Sequence, residues 1–417
     1  MRTETHWPWA PAWLTPRHIL LVTGLGVAVG LLWSRSVLSI SAGVALLAAL
    51  AHPRWGEWAS RLWHPANRWP LLYVLLACLS LVLSDNVTTA RQHVLNYLPM
   101  GAYAIGFAAA GGLPQRWRLA TERLLVAATT AMTTVMGITL VLNWEAYVTL
   151  LAQGKPVAAP LGVLPLSVGI LHAFSVILTA TWAHRAATTW QRWAWLGLCL
   201  WLLILVHLLA NRTGLLCLYA VGLPLMVRAG ARRWGWGRSL ALVALVTLGL
   251  GMATSQLPTL RAKVRHGWHD LEAYRRGDEL TDWSLGRRLA AWHAAGRVAQ
   301  RYPLFGAQVG DCFDEMVVEY RQLPYRIAPE HYINPHNQYL ESLATFGLLG
   351  FALLALAWVH PWWLGRAYIP TEGWAFWGIA LVAWLTDSVL EQQIGLCFCA
   401  FFALLYTTPP QPPRPEA

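Results

Sequence analysis

TSQLPTLRAKVRHGWHDLEAYRRGDELTDWSLGRRLAAWHAAGRVAQRYPLFGAQVGDCFDEMVVEYRQLPYRIAPEHYINPHNQ, residues 254–338, is the one long polar stretch in an otherwise apolar chain. It is rich in arginine and lies between two groups of membrane-length apolar runs. It closes on Asn334-Pro335-His336-Asn337-Gln338, where the next apolar run begins. Chemistry in water has almost nowhere else to sit. An arginine-rich face over a bilayer points to an anionic substrate, and a histidine at the membrane edge points to a base.

Working outward, the chain of 417 residues is 56% hydrophobic and only 12% charged, with a mean hydropathy of +0.42. Soluble domains carry about twice that charge. The composition therefore defines an all-α polytopic membrane protein, because alternating β-barrel strands do not give continuous apolar runs of this length. Twelve runs approach the ~20 residues needed to cross hydrocarbon. They are 17–34, 36–51, 69–84, 94–112, 123–143, 160–183, 193–210, 213–229, 238–254, 338–359, 371–388 and 392–408. The chain divides into nine spans (1–253), one large helical loop (254–336), three spans (337–408) and a Pro-rich tail (409–417). The stretch up to Pro16 is polar, then rich in Pro and Trp. No small-residue cleavage site follows the first apolar run, so that run reads as an uncleaved signal anchor. The tail should be extended and solvated.

Orientation follows from the basic residues. With both termini cytoplasmic, the inner loops hold 16 of the 31 Lys and Arg, the short outer connections hold only Arg35, Arg91, Lys155 and Arg212, and the long loop holds the other 11. Short loops obey the positive-inside rule, whereas a long loop translocates regardless of charge. The long loop is therefore placed outside.

Other readings fall away. The net charge of +11 is largely a consequence of topology, and no stacking platform or groove-binding motif accompanies it, so nucleic acid is not a partner. The 26 Trp suit interfacial belts in contact with membrane lipids. Only Cys312 of the six cysteines lies in the outer loop, so no disulfide can staple it. There is no phosphate-binding Gly-x-x-x-x-Gly-Lys loop, no His-Glu-x-x-His and no Asp-x-Asp, and no cofactor is expected.

Within the loop, helical spacing covers Leu260 to Arg276. Ser284 can cap a second helix running to about Tyr302, which Pro303 ends, and Asp311 to Gln322 forms a third, acidic at its start. Leu323-Pro324 and Ile333-Asn334-Pro335 then force an extended return to the membrane. These helices should lie on the outer surface with apolar stripes toward the bundle or the headgroups.

Three residues stand out. His336, expected in the first turn of the following helix, could take a proton, since an unperturbed imidazole titrates near ~6.5. An isolated histidine there is more often an interfacial anchor, and its surroundings shift that balance. Arg212, in the tight outer turn Asn211-Arg212-Thr213-Gly214, either snorkels or serves function. Arg288, in Ser284-x-x-x-Arg288-x-x-x-Trp292, is suited to bidentate diphosphate recognition, with Arg287 as the alternative. Arg261 and Arg265 are weaker candidates of the same kind. Asp85, Glu330, Glu341, Asp387 and Glu391 could each orient His336 or bind acceptor hydroxyls, and the sequence does not rank them.

The Arg212 turn, the Ser-x-x-x-Arg-x-x-x-Trp helix, Tyr302-Pro303-Leu304-Phe305-Gly306 and Pro335-His336-Asn337, in that order, resemble the O-antigen ligase and polymerase superfamily. Twelve spans with a large loop between the ninth and tenth resemble its ligase branch. The resemblance implies an inverting, metal-independent glycosyltransferase of the bacterial inner membrane. Its donor would be a glycan on undecaprenyl diphosphate, and its acceptor a sugar hydroxyl of the lipid A core. On that resemblance His336 is the general base, Arg212 and Arg288 bind the leaving diphosphate, and Arg265 helps. A polymerase or protein O-oligosaccharyltransferase of the superfamily is the near alternative. A non-enzymatic transporter of lipid-linked glycans is the distant one, expected to show charged or broken helices at mid-membrane. Here His172 and His207 are the main polar exceptions in the spans. The Phe305-to-Gly310 stretch is less glycine-rich than the usual pattern.

Overall fold

The computed structural model describes residues 15–408, apart from 51, 53–54, 147–148, 150–164, 210, 257, 282–283 and 367–368. The N-terminal Pro- and Trp-rich stretch, Lys155, the first residues of the expected sixth span and the Pro-rich tail lie outside the described residues.

The described chain is helical, with one isolated bridge between Glu279 and Arg326. The first group of helices is α1 (Pro16–Trp33), α2 (Arg35–Leu50), α3 (Trp55–Leu62), α4 (Pro65–Leu83), α5 (Val87–Ala110), α6 (Gln115–Leu142), α7 (Pro165–Arg185), α8 (Thr189–Leu208), α9 (Arg212–Trp234) and α10 (Trp236–Gln256). The polar segment supplies α11 (Pro258–Arg276), α12 (Ser284–Arg301) and α13 (Cys312–Tyr320). The last group is α14 (Gln338–Gly365), α15 (Thr371–Thr386) and α16 (Gln393–Thr407). Every stretch expected to span is thus helical where it is described. Among the described residues seven helices, α1, α4, α6, α7, α8, α9 and α14, are long and apolar enough to cross a membrane, and α2, α10 and α16 hold shorter apolar stretches. The short helix α3 was not expected. It buries Trp58 against Ala49 of α2 and Ala108 and Ala109 at the end of α5.

Helix limits follow local chemistry. Asn86 accepts from Thr89 N at 3.2 Å to open α5, and Gly111, at φ 67°, closes it in the left-handed conformation that glycine adopts without strain. Asn211 opens α9 by accepting from Gly214 N at 3.0 Å. Gly214 has no room for a side chain, since a Cβ there would stand 2.7 Å from Gly169 O of α7. Asn337 opens α14, accepting from Tyr339 N at 3.0 Å and Leu340 N at 3.2 Å.

The polar segment is more than three helices laid on a surface. Ala290, Ala291, Ala294, Ala295 and Val298 of α12 bury one face against Ala273 of α11 and Met316 and Tyr320 of α13, forming a small core of their own. Small alanine side chains let these helices approach closely. Asp270 of α11 accepts from Leu285 N at 2.6 Å, supplying the start of α12 with a partner in the role expected of Ser284. Arg301 joins Glu315 at 3.0 Å and Glu319 at 2.7 Å, tying α12 to α13. Asp311, directly before α13 as expected of a helix start, also accepts from Asp85 N at 2.9 Å and Asn86 N at 2.8 Å, docking the segment on the α4–α5 turn.

The second anchor is a break in α14. Gly347 adopts φ 64°, ψ −161°, interrupting the helix and freeing backbone groups on both sides. The Pro303-to-Gln308 loop satisfies them. Ala307 N donates to Ala344 O at 2.8 Å and Gln308 N to Thr345 O at 3.0 Å; Leu348 N donates to Pro303 O at 2.8 Å and Leu349 N to Leu304 O at 3.2 Å. A Cβ on Gly306 would lie 2.3 Å from Thr345 backbone, and one on Gly347 would lie 2.4 Å from Leu304 backbone. The motif Tyr302-Pro303-Leu304-Phe305-Gly306 therefore splices a loop into a broken helix.

Candidate functional site

His336 lies just before α14 rather than in its first turn, and adopts φ 47°. A left-handed non-glycine residue costs roughly 1–2 kcal/mol, and such strain gathers at functional sites. The neighbours hold it there. Trp292 of α12 donates its indole N–H to Pro335 O at 2.7 Å, while Asn337 is committed to capping. Gln338 Oε1 accepts from Leu390 N at 2.7 Å.

His336 Nδ1 lies 2.8 Å from Asp387 Oδ1; the histidine side chain is 31% exposed and the carboxylate 6%. Asp387 ends α15 and also accepts from Ser388 N at 2.7 Å, which fixes the carboxylate. An imidazole donating Nδ1–H to a buried carboxylate presents Nε2 as a proton acceptor, and the carboxylate stabilises the imidazolium once formed. Of the five acids that could orient His336, the fold selects Asp387.

Arg288 stands one turn before Trp292 on the same face of α12. Its Nη1 donates to Thr386 O at 2.9 Å, the carbonyl directly before Asp387. One turn of α12 thus holds both sides of the pair, Pro335 through Trp292 and Thr386 through Arg288. Burial lowers the Arg288 pKa, with the charge of Asp387 raising it and those of Arg212 and Arg287 lowering it. A guanidinium remains charged under such a shift. Arg212, exposed in the first turn of α9, is therefore an electrostatic neighbour of Arg288. Arg212 and Arg288, like charges near enough to interact, add positive charge suited to an anion close to the His336–Asp387 pair.

Arg287 turns elsewhere, its Nη1 3.4 Å from His331 Nδ1. Arg265 is exposed on α11, and among the described residues no contact joins it to the other three. Buried His172 is satisfied by Leu202 O at 2.9 Å, and half-buried His207 by Leu203 O at 2.7 Å and the Tyr219 hydroxyl. The six cysteines are free thiols. Among the described residues no group of three or more His, Cys, Asp and Glu is placed to hold a metal ion.

A polar network that sequence reasoning missed lies behind the pair. Ser388 donates to Glu341 Oε2 at 2.8 Å, and Glu391 collects His93, Asn96 and Tyr97 of α5 together with Gln338. The spacing of His93, Asn96 and Tyr97 on one helical face was the available signal.

Fold and site together define a polytopic helical membrane protein with an arginine-flanked histidine–aspartate pair where a helical segment meets the bundle. Residues 197–355 match the family model described as O-antigen ligase, in line with the resemblance to the O-antigen ligase and polymerase superfamily. The matched stretch contains Arg212, Arg288, Trp292 and His336. No curated protein matches the chain.

Proposed function

We propose that the protein is an O-antigen ligase, transferring a glycan from undecaprenyl diphosphate to a sugar hydroxyl of the lipid A core with inversion at the anomeric carbon. The observation that carries the reading is His336 held on Asp387 with Arg288 and Arg212 alongside, within a family match described by that activity.

Asp387 keeps the imidazole oriented, and His336 Nε2 removes the proton of the acceptor hydroxyl as the oxygen attacks the anomeric carbon. The C–O bond to the diphosphate breaks on the opposite face, and Arg288 and Arg212 bind the departing diphosphate. A lipid diphosphate is already a good leaving group, so guanidinium charge can substitute for a metal. Arg265, distant from the pair in contact terms, would act at most on approach of the donor.

The twelve apolar stretches would all cross the bacterial inner membrane, with both termini cytoplasmic and the α11–α13 segment in the periplasm. The test is transfer in detergent with purified protein, undecaprenyl-diphosphate-linked glycan and lipid A-core. Glycosylated lipid A formed in the presence of EDTA supports the ligase. Chain extension on the donor instead, or no transfer by folded protein, assigns polymerisation or transport.

A further inference from the structure

The 386–392 segment between α15 and α16 carries two histidine–carboxylate pairs, and the mechanism uses only one. Asp387 holds His336; Glu391 holds His93 Nδ1 of α5 at 3.3 Å. Both histidine side chains are 31% exposed, and both carboxylates are largely buried, at 6% and 12%. Glu391 is fixed more firmly than any other acid at the site. The Tyr97 hydroxyl donates to it, Gln338 Nε2 approaches Oε1 at 3.5 Å, and Asn96 Nδ2 donates to its carbonyl oxygen at 2.9 Å. A carboxylate so committed orients His93 as Asp387 orients His336, leaving Nε2 for another partner.

The two pairs lie toward opposite ends of the segment. At the Thr386 end, α9, which carries Arg212, packs on α15, and Arg288 binds Thr386 O. At the Glu391 end, α5 packs on α16 and on the Val389–Glu391 turn. Arg35, exposed at the start of α2, lies on this side too, its carbonyl oxygen accepting from Gln393 Nε2 at 3.5 Å. In-line displacement requires the attacking hydroxyl to come from the side away from the diphosphate. With the diphosphate assigned to Arg212 and Arg288 at the Thr386 end, the acceptor is assigned to the other end, against α5.

We propose that His93 is an acceptor-binding residue, its Nε2 hydrogen-bonding an oxygen of the acceptor saccharide while His336 takes the proton of the attacking hydroxyl. This rests on the transferase reading above; Gln338, two residues after His336, reaches Glu391 at 3.5 Å.

Two substitutions separate binding from scaffolding. In His93→Asn the amide nitrogen can replace Nδ1 against Glu391, but nothing replaces Nε2. In His93→Gln the amide nitrogen can instead reach the position of Nε2. Steady-state transfer from undecaprenyl-diphosphate-linked glycan to lipid A-core is measured for both, in protein checked by gel filtration and thermal unfolding. The expected result for His93→Asn is an acceptor KM raised about tenfold, the effect of one lost hydrogen bond, with donor KM unchanged. His93→Gln should recover most of that loss. An acceptor KM within twofold of wild type in His93→Asn overturns the inference. So does an equal rise in donor KM, or a variant that no longer folds while His93→Gln folds with a normal donor KM and fails to restore the acceptor KM. If wild type transfers nothing to lipid A-core, the ligase reading itself fails, and the inference with it.

Discussion

Trp292 donates its indole N–H to the carbonyl oxygen of Pro335, 2.7 Å away and 43 residues later in the chain. This bond fixes the backbone directly before His336. Arg288, one turn earlier on α12, fixes the backbone directly before Asp387. The Ser-x-x-x-Arg-x-x-x-Trp pattern is thereby a clamp, setting the distance between base and carboxylate from one rigid helix face.

Trp292→Phe keeps the ring and removes the donor. The expected outcome is a kcat about 10–100-fold lower, because small misplacements of a reacting group are costly, with donor KM unchanged. Transfer kinetics check this; a raised donor KM with normal kcat would show that Trp292 acts on the donor instead.

Arg288 is half-buried and anchored on Thr386, whereas Arg212 is exposed. Lysine cannot reproduce a planar fork that holds a carbonyl while facing a phosphate. Arg288→Lys should raise donor KM about 10–100-fold, the loss of one or two charge-assisted hydrogen bonds, and Arg212→Lys should raise it less. Donor titrations distinguish them; equal effects would contradict the different placements.

Gly347 and Gly306 let two backbones meet where α14 is broken. Gly347→Ala places a Cβ 2.4 Å from Leu304 backbone at φ 64°, so a loss of about 2–4 kcal/mol is expected in thermal or denaturant unfolding. Gln308, at φ 74°, provides the contrast: Gln308→Gly should be neutral or stabilising by about 1 kcal/mol. An unchanged Gly347→Ala would mean that the break in α14 is not required.

The helices were legible because an apolar run near span length has little alternative to helix, and the polar stretch stood out by contrast. Arg212, Arg288 and His336 were legible as charges and an imidazole where the chain meets the membrane. The partner of His336 was not, since Asp387 lies 51 residues away and is brought near by the packing of α14 on α15 and by the α12 clamp. The position of His336 was missed by one feature, the capping of α14 by Asn337, which leaves the histidine outside the helix in a left-handed conformation. Short amphipathic α3 escaped notice because its eight residues lie among tryptophans that read equally well as an interfacial belt. The Gly347 break is silent in sequence, because a glycine in an apolar run is common and only the docked Pro303–Gln308 loop makes it necessary.

The most direct test of the central claim is transfer to lipid A-core by His336→Ala beside Asp387→Asn and wild type, each confirmed to be folded. The account predicts that His336→Ala loses transfer by about 10²–10⁴-fold, as expected when a general base is removed, and that Asp387→Asn shows a loss of the same order through the wrong imidazole tautomer. Transfer undiminished in His336→Ala would contradict the mechanism outright.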